Sequence, residues 1–479
     1  MKSAISIFNE LNEIPRGSGN EKAISDWLCK WALYNSFNYT QDAQNNVVIE
    51  IPGTGKFRES QPGEGYILQG HMDMVCQKTE DSTHDFFKDP IISIEKDGWL
   101  MTNGQTTLGA DNGIGIAMAL AIVLDKEIEH LPLELLFTVD EEQGLVGALN
   151  LSKDILKARK LINIDSEDEG VITIGCAGSR DTTFTKKYVT KKSIPEEMII
   201  CEISISGGKG GHSGIMIQNK IANAHVINAR LLDLLIGQFD INLISWFGGK
   251  FRNAIPGESK TQILVDKADF SKIEKVVKDF GRTISNEYQT VEPNLSINIT
   301  QISNENAKVL LNVDTREVIN TVLSIPHGVL GMSNEVSGLV ETSNNLAVVE
   351  LNNGKLEIKT MHRSSVYSRL DEVTAKLNAI GKLINAEITH GNASPPWQPD
   401  ANSNLLKSIS ETYERLYNKK PIVEAIHAGL ECGVIGEKYP GMEMVSIGPT
   451  IQGAHTPKEK LELKSVELVG KWILEIISQ

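Results

Sequence analysis

LELLFTVDEEQG, residues 133–144, decides the fold. Its apolar opening is short enough for a buried strand and too short for a helix, and three acids, Asp140, Glu141 and Glu142, follow at once. Two other stretches repeat the pattern. GYILQGHMDMV, residues 65–75, ends an apolar run on His71 and Asp73, and KLINID, residues 160–165, ends one on Asp165. Between the strands lie helical patterns, IGIAMALAIVL over 114–124 and one near 145–151. Strands alternating with helices imply an α/β sheet, and polar residues gathered just past the strand ends occupy the edge where such sheets hold ligands.

Working outward, NNVVIE at 45–50 adds an extended run, and Ile24, Trp27 and Leu28 form one face of an early helix. The middle of the chain changes character. MIICEISISG (198–207), SKTQILV (259–265) and AKVLLNVD (307–314) read as strands, and a long helix runs from about Asn219 to Leu235. Leu370, Val373, Leu377, Ile380 and Ile384 recur at steps of three and four, which predicts a second helix with one apolar stripe. Helices near Ser403 and over about 466–477 flank a strand candidate at MVSIGP (444–449). The expected organisation is a discontinuous α/β catalytic domain, 1–187 plus 398–479, interrupted by an α+β lid domain at 188–397.

Composition narrows function. Of 479 residues, 41% are hydrophobic and 23% charged, ordinary globular usage. The net charge of -15 argues against nucleic acid and anionic membrane surfaces, because no basic patch offsets it. The start lacks the apolar run of a signal peptide and no window reads as a membrane span, so a cytoplasmic location is expected. Five scattered cysteines have neither disulfide nor thiolate-zinc spacing, which leaves His and carboxylates to hold any metal.

The candidate chemistry sits in separate clusters. His71 and Asp73 are two apart in an extended segment and share a side, although a turn would tolerate the same pair. Asp111, in TTLGADNGIG (106–115), either caps the following helix or bridges two ions through its two oxygens. Glu141 and Glu142 begin a solvated helix or divide the work, with Glu142 on metal and Glu141 on protons. Asp165 adds a carboxylate at another strand end. His455, in GAHTPKE, is a surface histidine unless its strand joins the early sheet. Together His71, Asp111, Glu142, Asp165 and His455 supply the oxygen and imidazole ligands that a pair of cations requires, and Glu141 remains free as a base. No HExxH helix motif is present.

EIPRGSGNE, GHMDMV, LGADNGIG, TVDEEQGLVGA, INIDSEDEG, GGKGGHSG, NAIPGE, MHRSS, HAGLECG and GAHTPKE occur in that order across essentially the whole chain. The set resembles the Xaa-His (aminoacyl-histidine, β-alanyl-histidine) dipeptidases, within the metallopeptidase group of aminoacylases and carnosinases. That resemblance implies two divalent cations, zinc first, with manganese or cobalt as alternatives. His71 and Asp165 would bind one, Glu142 and His455 the other, and Asp111 both, with a cis peptide after Asp111. It implies Asp73 orienting His71, Glu141 as general base, and His212 steadying an oxyanion from the neighbouring subunit of a homodimer. It further implies Asn253, Arg363, His427 and Glu431 near the substrate. The structural alternatives are that His212 stabilises a glycine turn and that Arg363 forms a lid salt bridge. The implied activity is hydrolysis of short peptides, Xaa-His dipeptides above all. An aminoacylase, a broader dipeptidase, or a metal-free peptide-binding or dimer scaffold are the alternatives.

Overall fold

The computed structural model describes residues 2–192, 194–303, 307–391 and 393–479. It divides into two compact units, Met1–Cys176 with Trp397–Ala425 and Leu430–Gln479, and Ala177–Pro396 with Ile426–Gly429.

The first unit is built on an eight-stranded sheet whose order is Asn38–Gln41, Val47–Ile51, Leu133–Thr138, Tyr66–His71, Lys160–Asn163, Glu443–Ser446, Val171–Cys176 and Ile422–Ile426. Four adjacent strands, Leu133–Thr138 through Glu443–Ser446, run parallel. Leu133–Thr138 and Tyr66–His71 are buried at every residue, which is why they read as unbroken apolar runs rather than alternating ones. The helix Ala110–Val123 is apolar all round and correspondingly buried, from Ile114 to Ile122 without interruption. The last helix, Leu463–Ile477, adds Val466, Val469, Trp472, Ile473 and Ile476 to the same core. Each such side chain contributes about 1.5–3 kcal/mol when fully buried. Trp472 keeps its polar edge satisfied by donating from Nε1 to the carbonyl of Ile409, 3.0 Å away on the helix Asn404–Tyr417.

The second unit holds an antiparallel sheet, ordered Ser296–Ile302, Met198–Ser206, Ser259–Asp266, Asn242–Gly248, Val340–Asn352, Lys355–Ser364, Gly178–Lys187 and Glu387–His390, with Gly328–Met332 also pairing with Val340–Asn352. The helices Ala224–Ile236, Phe270–Glu287, Asn312–Ser324 and Tyr367–Leu383 contribute Leu232, Leu235, Ile273, Val277, Val318, Val322, Val373 and Leu377 to its core. Mixed α/β and α+β architecture follows, as expected.

The opening stretch of the first unit ends at Cys176, and Gly178–Lys187 pairs along the whole of Lys355–Ser364 in the second sheet. Residues 426–429 also belong to the second unit, taking His427 with them. Two local expectations are corrected. AKVLLNVD is a strand only at Val309–Leu310; from Asn312 it is helix, since Thr315, Val318, Ile319 and Val322 bury one face at helical spacing. The helix expected from Asn219 starts instead at Ala224, where the Asn223 side chain accepts from the backbone N–H of His225 and Val226.

Candidate metal centre

The parallel strands end together. His71 closes its strand, Glu141 and Glu142 follow Thr138, and Asp165 follows Asn163. Asp111 stands where the chain is not yet helical, with φ -80° and ψ 108°, and the Asp111–Asn112 peptide is cis. His455 comes from the loop after Ile451–Gln452, in the left-handed region at φ 62°.

His71 Nε2 lies 3.1 Å from Asp111 Oδ1 and 3.4 Å from Asp165 Oδ1. His455 Nε2 lies 3.0 Å from Asp111 Oδ2 and 3.0 Å from Glu142 Oε1. Two triads therefore share Asp111, one oxygen each, and within each triad the ligand atoms all fall within 4.8 Å of one another. Tetrahedral ligands at zinc bond lengths stand about 3.3 Å apart, so the donor spacing suits such an ion. Glu142 Oε1 is buried and makes no hydrogen bond despite its approach to His455. That orphaned oxygen, with an all N/O donor set, fits divalent cations.

The electrostatics agree. Pairing with the carboxylates of Asp111 and then Glu142 pushes the His455 imidazole up to about 11. His71 is also raised well above the ordinary range: burial opposes the shift, and Asp165, Asp111 and Asp73 outweigh it. Burial pushes Asp165 up to about 6 against the pull of His71. Asp111 is held low, because hydrogen bonds from His455 and His71 overcome its burial. The carboxylates thus demand positive charge at the points the triads surround. Glu141 differs: burial, joined by repulsion from Asp165, Glu431 and Glu142, raises it well above the usual carboxylate range although His71 opposes.

A shell of buried polar groups holds these side chains. Asp73 is fully buried, with Oδ1 3.3 Å from His71 Nδ1. It also accepts from the backbone N–H of Glu141 and Glu142, at 3.0 and 3.2 Å, and from Ser18 Oγ at 2.8 Å. Glu21 accepts from the N–H of Asp140 at 3.0 Å. Glu431 is fully buried and accepts from Gln69 Nε2 and Thr138 Oγ1 at 2.5 and 2.7 Å, while Gln69 Oε1 accepts from Asn163 Nδ2 at 2.6 Å. That chain ties together the three strands that lead into His71, Glu141 and Asp165. Glu21, Gln69, Arg16 and Glu459 were not singled out from the sequence. A lone charged residue inside an otherwise small or apolar motif, as Arg16 is in IPRGSG, was the available signal.

The other candidates form a separate group in the second unit. Arg363 is 7% exposed; among the described residues its Nε has no partner, and its terminal nitrogen donates to Met361 Sδ at 3.4 Å. Asp181 is instead paired with Arg252. Burial draws the Arg363 guanidinium down to about 10. His427 Nε2 lies 2.7 Å from Ser343 Oγ and its Nδ1 is unpartnered; burial, then Arg363, presses it down to about 3. His212 is lowered to about 4 by the same two causes. Its Nδ1 accepts from the N–H of Gly214 and Ile215, both at 3.3 Å, so the neutral ring carries its hydrogen on Nε2 and is a donor there. Gly214 is required: a Cβ would stand 2.4 Å from the His427 carbonyl. The Asn253 carbonyl accepts from Ser213 N–H at 2.8 Å, and the residue is otherwise exposed.

Such a centre at the rim of a parallel sheet, in a chain interrupted by a second α+β unit, marks a metal-dependent hydrolase. The chain belongs to the peptidase family M20/M25/M40, whose model matches residues 67–479. It is 39% identical over 475 residues to the cytosol non-specific dipeptidase of Escherichia coli (strain K12), covering 99% of this chain and 96% of that one. The crystal structure of aminoacylhistidine dipeptidase from Vibrio alginolyticus matches with a TM-score of 0.90 at 35% identity, covering 99% of this chain and 96% of the other. An aminopeptidase from Bacillus cereus shares the fold, with a TM-score of 0.56 at 16% identity over 100% of this chain and 98% of its own. Among the described residues no helix is long and apolar enough to cross a membrane.

Proposed function

We propose that this chain is a cytoplasmic, homodimeric dipeptidase that uses two divalent cations and cleaves short peptides, Xaa-His dipeptides including β-alanyl-histidine foremost. The sharing of Asp111 between two triads, beside the spare buried Glu141, carries this reading. His71 and Asp165 would hold one cation, Glu142 and His455 the other, and Asp111 both. Zinc suits the donors best, and manganese or cobalt can use the same set. When bound, the cations supply Lewis acidity that makes water acidic near neutral pH.

The chain's own residues do the rest. Glu141, its proton affinity raised by burial, takes the proton of the attacking water and returns it to the departing amine. Asp73 keeps the His71 ring oriented and fixes the backbone of both glutamates. His212, with its hydrogen on Nε2, would offer it to the carbonyl oxygen at the neighbouring subunit's centre as charge develops. Arg363 is a buried cation without a carboxylate partner, and a peptide's terminal carboxylate would give its fork two charge-assisted bonds. Recognition of a free terminal carboxylate favours short peptides over internal bonds of proteins. His427 and Asn253 complete the lid's substrate-facing set.

The relatives' names leave breadth open: one is a non-specific dipeptidase, the other an aminoacylhistidine dipeptidase. The former supports broader dipeptide cleavage as a second reading. Protein of measured metal content, assayed on Xaa-His dipeptides, other dipeptides and acyl-amino acids, separates these. Cleavage of His-terminal dipeptides at the highest kcat/KM is expected. No hydrolysis of any dipeptide by fully loaded protein would overturn the proposal.

A further inference from the structure

Glu459 lies four residues past His455 and is 3% exposed. Its carboxylate reaches across to the segment that carries Asp111 and accepts from four consecutive backbone N–H groups: Leu108 at 2.7 Å, Gly109 at 3.0 Å, Ala110 at 2.7 Å and Asp111 at 3.3 Å. These amides open the helix Ala110–Val123 and have no partners within it, so a distant carboxylate caps them. The opposite side of the segment is gripped as well. Arg16 donates to the carbonyls of Gly109 at 2.7 Å and Met72 at 3.3 Å, and Asn12 donates to that of Leu108 at 3.3 Å. A Cβ on Gly109 would come within 2.6 Å of Arg16, so the close approach depends on glycine.

The path from Glu459 back to His455 is equally constrained. Glu459 N–H donates to the Thr456 carbonyl at 3.0 Å, Thr456 Oγ1 donates to the Gly453 carbonyl at 2.7 Å, and Lys458 N–H donates to Thr456 Oγ1 at 3.2 Å. One stiff turn therefore carries His455 at one end and, at the other, the group that holds the backbone of Asp111. His455 itself is half exposed, at 49%.

We propose that Glu459 is a positioning residue that sets the separation of Asp111 and His455, and so governs the cation held by Asp111, Glu142 and His455 more than the one held by His71, Asp111 and Asp165. This rests on the ligand assignment proposed above. A glutamine at 459 has one acceptor oxygen and turns an NH2 group toward N–H donors, so it loses at least half of the contacts without changing shape.

The test is a calorimetric titration of Zn2+ into apoprotein, wild type beside Glu459→Gln, with thermal melts of both. Wild type binds two ions in two resolved steps. In E459Q one step weakens about 10- to 100-fold, the usual effect of removing a group that orients a ligand, while the other is unchanged. Two unchanged steps, or equal weakening of both alongside a lowered melt, would overturn the positioning role and leave a plain helix cap. Absence of Zn2+ binding by the wild type would instead refute the ligand assignment. Should E459Q not fold, Glu459→Asp, which keeps the charge one methylene shorter, is titrated in the same way against the same two outcomes.

Discussion

The two histidines of the metal centre and the buried histidines of the second unit stand in opposite states. In the first, His455 is raised to about 11 and His71 well above the ordinary range. In the second, His225 and His427 are pressed to about 3, and His212, His327 and His362 to about 4. Burial alone always disfavours the imidazolium, and His71 is as buried as the rings of the second unit. Carboxylate neighbours make the difference, as His130 shows: it lies in the first unit, meets only the Leu131 carbonyl, and is lowered. One unit thus assembles negative charge that calls for cations, and the other keeps a bare guanidinium among neutral rings, which calls for an anion.

Removing divalent cations from the first unit tests the contrast most severely. Chelation should take dipeptide turnover to background, and Zn2+, Mn2+ or Co2+ should restore it; undiminished turnover in metal-free protein would end the idea that the carboxylates serve cations. Next in size, Glu141→Gln should lower kcat about 100- to 10,000-fold. Metal content measured on the same sample should be unaltered, because Glu141 is assigned to protons and not to binding.

Arg363→Met probes the other half. Loss of charge-assisted bonds worth about 1.5–3 kcal/mol should raise KM by roughly 10- to 100-fold. The thermal midpoint should hold or rise, since a buried charge with no carboxylate partner is removed. A lowered midpoint with unchanged KM would make Arg363 structural.

The smallest effect concerns acid. The depressed histidines of the second unit return to about 6.5 on unfolding, so between roughly pH 6.5 and 4 the unfolded chain binds more protons. Stability is then complete above about pH 6.5 and falls as pH drops through that window. His225→Asn, at a ring whose Nδ1 accepts from Trp246 Nε1 at 3.2 Å, should flatten the slope of urea midpoints against pH. An unaltered slope would mean that this ring is not kept neutral by burial.

Much of the centre was legible because its cues are local. Apolar runs at 133–138 and 65–70 ended on acids and a histidine, and strand geometry places residues two apart on one side. The strand at 178–187 was not legible, because no apolar run marks it and its place in the second sheet is set by its pairing with Lys355–Ser364. The contacts of Glu431 with Gln69 and Thr138 were not legible, because they join segments hundreds of residues apart.

What the amino-acid sequence by itself determined is the inventory: which runs bury completely, which ends carry carboxylate or imidazole, and that cysteine supplies no ligand pair. What only tertiary structure decided is who meets whom. His455 reaches Asp111, and Glu459 reaches the amides beside it, through contacts between segments more than three hundred residues apart in number. Short-range periodicity sets a side chain's direction, whereas its partner depends on the order of strands in a sheet and on the turns between them, and no local pattern encodes those.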